Sequence, residues 1–323
     1  METTRAVQPI DVSKDRPFLE ELGVVWGRLE NKEVFFALVI AWLSLFQFLG
    51  NSTFGYLNTN SLLHWMYMTY NHTDSGDSHG NLIPFVVLAL FWWKREQLLS
   101  IPQRTWRPGL LLLGLACVMH LFGYLVQQPR LSIIALFLGL YSIIGITWGL
   151  AWMKASWFPF VLFVFSVPLD VFMDSLTLPL RIFATWITYV ICHGVLGLNL
   201  IRQGTQLFDP AGDVKFDVVA ACSGIRSLLS LMALTSIFAM VFFRSPWRRL
   251  VLFSSALPLS LICNILRLVC VVMASIFFGQ KWGHFVHEWF GFLTYAIALG
   301  GVMILSRLIK ETVNPARPSS LHE

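Results

Sequence analysis

The run LVLFSSALPLSLICNILRLVCVVMASIFF, from Leu250 to Phe278, decides how the rest of the chain is read. Its 29 residues carry one charge, Arg267. A membrane-spanning helix needs about 20 apolar residues, with a range of about 17–25, so this run is long enough to cross. Composition points the same way for the whole chain. Of 323 residues, 56% are hydrophobic, 15% aromatic and only 13% charged, where soluble domains carry about 25% charged residues. That is too little charge to cover a water-soluble particle. A disordered chain, a coiled coil and a disulfide-stapled secreted module are excluded, and an all-α, polytopic membrane helical bundle is expected.

Seven further apolar segments lie at Val34–Leu49, Ser78–Trp93, Gly109–Val126, Leu131–Met153, Ala155–Leu169, Ser227–Phe243 and Trp289–Ile309. A ninth candidate, Leu178–Leu198, is settled by charge. Basic residues concentrate in cytoplasmic loops. With an even number of spans, 16 of the 23 Lys and Arg residues fall on the cytoplasmic side: five before residue 34, four in 94–108, Lys154, three in 244–249, and Arg307, Lys310 and Arg317. Five fall opposite, namely Arg130, Arg181, Arg202, Lys215 and Lys281. Making Leu178–Leu198 a full span inverts everything on one side of it. About eight transmembrane helices are therefore expected, with an interfacial or re-entrant helix near 178–198. The domain reading is a cytoplasmic tail over 1–33, with no cleavable leader, one membrane domain over 34–309, and a short cytoplasmic tail over 310–323. The net charge of +5 orients the protein in its lipids and leaves no basic surface for nucleic acid.

The same topology brings unusual residues to one face. Of five cysteines, Cys117, Cys192, Cys263 and Cys270 sit in apolar runs, where cysteine behaves as a small hydrophobe. Cys222 lies instead in Ala221-Cys222-Ser223-Gly224-Ile225-Arg226-Ser227, just before a helix. A helix N-terminus and the nearby Arg226 both favour the thiolate; a plain helix-start turn capped by Ser223 fits the same residues. Arg267 follows Asn264 by one turn inside its apolar run, and a charge there costs about 2.5–3.5 kcal/mol on insertion scales. It serves a site or snorkels outward, and the Asn favours the site. His284 and His287 are expected in an outer loop over 279–288, with His287 in His287-Glu288-Trp289-Phe290-Gly291. His287 reads as a general acid/base. Metal binding with His284 and Glu288 is weaker, because the metalloprotease helix spaces its histidines four apart. Ser78-His79-Gly80 opens the second span, and Asn51-Ser52-Thr53 and Asn71-His72-Thr73 match the glycosylation pattern.

Taken together, Ala-Cys-Ser-Gly-Ile-Arg-Ser at 221–227, Asn264-x-x-Arg267, His287-Glu288-x-x-Gly291, and Ser78-His79-Gly80 with Trp92, Trp93, Lys94 and Arg95 resemble the exosortase/archaeosortase family. The resemblance spans about residues 34–309. It implies a multipass cysteine transpeptidase of the bacterial inner membrane, with its site on the extracytoplasmic side. It also implies a partner, the C-terminal sorting-signal helix of exported proteins, of PEP-CTERM type and associated with exopolysaccharide production. The family's proposed catalytic residues map to Cys222, Arg267 and His287. Arg226, Asn264 and His79 are candidate substrate-binding or supporting residues. The chemistry needs no cofactor and no metal, only an amine acceptor. The rival is a transporter or channel for a polysaccharide or lipid-linked intermediate. Transporters favour internal repeats and midplane polar groups, whereas this sequence has no visible repeat and its polar residues gather at one surface.

Overall fold

Backbone groups in lipid must find their hydrogen bonds within the segment, which leaves helices as the solution for apolar spans. All eight apolar segments are helical. The structure, a computed structural model, describes residues 17–53, 58–72, 77–208, 210, 215–217 and 224–309, with only the backbone at 170–177, 215–217 and 224–227. Five helices are long and apolar enough to cross a membrane: Lys32–Leu49, Pro129–Trp148, Leu178–Val195, Pro246–Phe278 and Gln280–Leu308. Four shorter apolar helices join them, Ile83–Trp93, Gly109–Leu125, Leu150–Ser166 and Leu228–Phe242. The chain is an all-α polytopic membrane bundle. It divides into two compact units, Met1–Pro168 and Leu169–Glu323.

The first unit contains α1 (Phe18–Arg28), α2 (Lys32–Leu49), α3 (Leu62–Tyr70), α4 (Ile83–Trp93), α5 (Arg95–Leu99), α6 (Gly109–Leu125), α7 (Pro129–Trp148) and α8 (Leu150–Val161). Two 3₁₀ turns, Ser78–Asn81 and Leu162–Ser166, precede α4 and extend α8. Its connections alternate between two ends. At one end Arg95 pairs with Glu21, the Trp148 indole donates to the Glu30 carbonyl at 2.8 Å, and Lys94 Nζ donates to the Ala155 carbonyl at 3.1 Å. Residues 17–32, 94–107 and 148–155 thus share an end, and these are segments that the charge count groups together. At the other end Tyr70 Oη donates to the Ser166 carbonyl and Arg130 Nε to the Pro168 carbonyl at 2.6 Å. Between the ends, the Trp42 ring lies over Gly139, where any side chain would overlap it.

Two boundaries differ from expectation. The turn after α7 falls at Gly149, whose φ of +103° suits only glycine, and not at Lys154, which lies within α8. Residues 18–32 of the expected polar tail are mostly helical, and α1 docks by Phe18 on Trp92 with ring centroids 4.9 Å apart. One glycosylation pattern is also accounted for. Asn51 is buried and its amide donates to the Thr59 carbonyl at 2.7 Å, so it serves the fold.

The second unit contains α9 (Asp170–Tyr189), a π-helical turn (Val190–Val195), strands β1 (Ile201–Gln203), β2 (Gln206–Phe208) and β3 (Lys215–Asp217), then α10 (Gly224–Phe242), α11 (Pro246–Ser254), α12 (Ala256–Phe278) and α13 (Gln280–Leu308). The stretch expected as an interfacial or re-entrant helix is helical from Leu178 to Val195 and itself meets the length and composition of a span. It packs on α12, where Ala184 and Cys192 join Leu268 and Val272. The strands form an antiparallel sheet in the order β1-β2-β3, and β2 buries Leu207 in the same cluster. At the other end, Phe243, Leu252 and Val302 lock α10, α11 and α13 together.

Helices α12 and α13 form a hairpin around Gly279, whose φ is +90°. Small residues bring them close: a Cβ on Gly283 would lie 1.7 Å from Ser275 Oγ. Gly283→Ala should therefore destabilise the protein by about 1–3 kcal/mol, the usual cost of overpacking. Adding Ser275→Ala should recover most of it, as read by thermal unfolding in detergent. Unchanged melting of the single variant would contradict the close packing.

Candidate functional site

Residues 280–288 are helical, so His284 and His287 do not occupy a loop. The polarity of this stretch predicts a loop, but one glycine suffices to turn the chain and α13 begins at once. At about 1.5 Å per residue, Arg267 lies roughly 17 Å along α12 from its end at Phe278, and His287 roughly 11 Å into α13. The pair is inside the hairpin.

There the two side chains meet. Arg267 Nη2 donates at 2.6 Å to the His287 carbonyl and lies 3.1 Å from His287 Nδ1. One guanidinium nitrogen thus contacts both the backbone and the ring of one histidine. Glycine makes the room: the atoms nearest a Cβ placed on Gly291 are Arg267 Cζ and Nη2, both at 3.9 Å. The guanidinium lies over the bare backbone one turn beyond His287.

A cleft of about 40 Å³ opens beside it, lined by Leu231, Ser260, Cys263, Asn264, Arg267, Gly291, Thr294, Tyr295 and Ala298. One water needs only about 10–15 Å³, so the cleft can hydrate part of a charge that lipid cannot. Ser260, Asn264 and Arg267 stand at successive turns of one face of α12. Thr294 and Tyr295 follow Gly291 by one turn on α13. That polar stripe at helical spacing is readable in the sequence, although the motif marks only Asn264 and Arg267 within it. Cys263 packs with Leu231 and Ala298, as a small hydrophobe.

Asn264 lines the cleft and is half-buried. His284 and Glu288 are exposed, and the His284 and His287 rings are 6.4 Å apart. Among the described residues no three His, Cys, Asp or Glu side chains gather as a metal site. His79 belongs to the first unit, in the turn Ser78–Asn81, where Gly80 sits under the Tyr70 ring. Burial, with the Asp77 carboxylate adding to it, pushes the Tyr70 phenol well above its usual range. Cys222 and the Arg226 side chain lie outside the described residues.

Fold and site together define a polytopic α-helical membrane protein with an arginine–histidine pair inside its bundle. Residues 70–304 match the family model of the transmembrane exosortases. That is well over half of the chain, which belongs to this family. Membership makes it, in general terms, a membrane-embedded sorting transpeptidase. No curated protein and no solved structure matches the chain.

The bed under Arg267 can be tested by size. Gly291→Ala adds a methyl at ordinary contact distance and should retain most processing of a sorting substrate. Gly291→Leu reaches into the guanidinium and should lower processing by at least about tenfold, since misplacing a reactive group by about 1 Å costs about 10²-fold. Equal activity of the two variants would count against this placement.

Proposed function

We propose that the chain is a cysteine transpeptidase that cleaves a C-terminal sorting signal of PEP-CTERM type and passes the cleaved protein to an amine acceptor. The observation that carries this reading is the contact of Arg267 with His287 inside the α12–α13 hairpin. It joins two of the three residues that the family motif marks, 20 positions apart, in a setting where a charge needs a reason. The reaction belongs to the extracytoplasmic side of a bacterial inner membrane.

In this reading the tail helix of the exported protein lies in the lipid beside the bundle and presents its short motif to the site. Cys222, as thiolate, attacks the scissile carbonyl. Arg267 stabilises the oxyanion, and a fixed positive charge in a water-poor setting does this strongly. His287 gives a proton to the leaving amine and later takes one from the incoming nucleophile. The intermediate is a thioester, resolved by an amine in transpeptidation or by water in hydrolysis. Arg226 favours the thiolate, while Asn264 and His79 support the site or bind substrate.

The test is processing of a tagged PEP-CTERM substrate co-expressed with variants. Cys222→Ala should abolish it, and mass spectrometry of the wild type should find the substrate fragment as a thioester on Cys222. Arg267→Ala should cost about 10²–10³ in rate, as removal of one oxyanion donor does. Normal processing by Cys222→Ala would overturn the cysteine mechanism, and absence of processing by the wild type would favour the transport reading.

A further inference from the structure

A guanidinium has five N–H donors and no acceptor. At 3.1 Å from Arg267 Nη2, His287 Nδ1 must therefore be the acceptor, with its lone pair directed at the cation. A neutral imidazole carries one proton, so that proton is on Nε2. This arrangement bears on what the ring can do. Nδ1 cannot take a proton while its lone pair is engaged, and Nε2 already holds one. Giving up that single proton would leave an imidazolate. Held this way, His287 is neither a base nor an acid.

We infer that Arg267 is a positioning residue for His287 as well as the oxyanion donor, and that the two roles exclude one another at Nη2. While Nη2 faces Nδ1, the ring is fixed in the Nε2–H tautomer and is catalytically silent. When the guanidinium turns to the carbonyl oxygen of a substrate, Nδ1 is released and becomes the reactive nitrogen. The inference rests on the cysteine reading proposed above.

Three features favour such a movement. The bond to the His287 carbonyl, at 2.6 Å, is the shorter of the two and can act as the pivot. Gly291 presents no side chain to obstruct the guanidinium. The cleft lined by Asn264, Thr294 and Tyr295 adjoins Arg267 and gives it room.

The step then balances. The Cys222 thiol proton moves to Nδ1, leaving a thiolate and an imidazolium protonated at both nitrogens. Sulfur attacks the carbonyl carbon, and the π pair moves onto the oxygen that Arg267 now holds. Collapse breaks the C–N bond, the leaving amine takes the proton from Nδ1, and Arg267 can return. An incoming amine gives its proton to Nδ1 in the second half, the C–S bond breaks, and the expelled thiolate takes that proton back from Nδ1. Binding a carbonyl thereby switches on the base, so His287 takes the thiol proton only where a peptide bond is in place.

The experiment is ¹⁵N NMR of the full chain in lipid nanodiscs with ¹⁵N-histidine, the His287 signals being assigned by their loss in His287→Gln. The wild type should show a non-protonated, hydrogen-bonded Nδ1 and a protonated Nε2, as a single tautomer. In Arg267→Ala, and in Gly291→Leu, where the arginine remains but is displaced, the ring should exchange between tautomers. A protonated Nδ1 in the wild type overturns the inference, and that spectrum alone decides if the variants do not fold. Identical spectra in all three proteins also overturn it. Because the readout is a tautomer and not activity, its failure leaves Cys222-dependent processing standing. Loss of that dependence would remove the cysteine mechanism whatever the spectra show.

Discussion

An arginine inside a membrane bundle has to be hydrogen-bonded by the protein, because the hydrocarbon around it offers nothing. Placing it there costs about 2.5–3.5 kcal/mol on insertion scales, and the α12–α13 hairpin is arranged to offset that cost. Gly279 turns the chain within one residue, so the two helices run antiparallel from the turn. Gly283 against Ser275 lets them approach closely, and Gly291 leaves the guanidinium a bed of backbone. At that separation one nitrogen of Arg267 reaches both the carbonyl and the ring of His287.

The rest of the second unit braces this hairpin from both ends. Away from the turn, Leu252, Phe243 and Val302 fix α10 and α11 against it. On the turn side of Arg267, Leu268 and Val272 pack with Ala184 and Cys192 of the helix over 170–195 and with Leu207 of the sheet. Leu268 is the next residue after Arg267, so the sheet and that helix bear directly on the register at which the arginine is held. The strands are short, and their contribution is to carry one buried leucine to the right place.

How much of this can be read in the sequence follows from which forces leave a local trace. Apolar runs leave a strong one, so all eight segments are legible. Charge distribution also leaves one, and residues 17–32, 94–107 and 148–155 do share an end. Backbone turns leave little. Gly149 breaks the α7–α8 run five residues before Lys154, and nothing in the residue count distinguishes a glycine at φ +103° from one within a helix. The same limit applies to residues 280–288, whose polarity reads as a loop although they open α13. Arg267 is legible as a costly charge and His287 as a reactive side chain. Their contact is not, because it joins residues 20 apart through a packing distance set by Gly283 and Gly291.

The identity of the cation follows from the same geometry. A lysine at 267 would bring a compact ammonium on a flexible stem, able to make one strong contact but not to hold two acceptors in a fixed relation. The planar guanidinium presents its N–H bonds in a rigid fork. Its Nη2 lies within hydrogen-bonding distance of both the His287 carbonyl and Nδ1. An acceptor on the helix backbone is immobile, whereas one on a side chain can rotate away. An arginine bonded to both is therefore anchored at one point and movable at the other. Among the described residues lining the cleft there is no Asp or Glu, and Ser260, Asn264 and Thr294 supply its polar groups, so a carbonyl that enters the cleft meets neutral side chains beside the guanidinium.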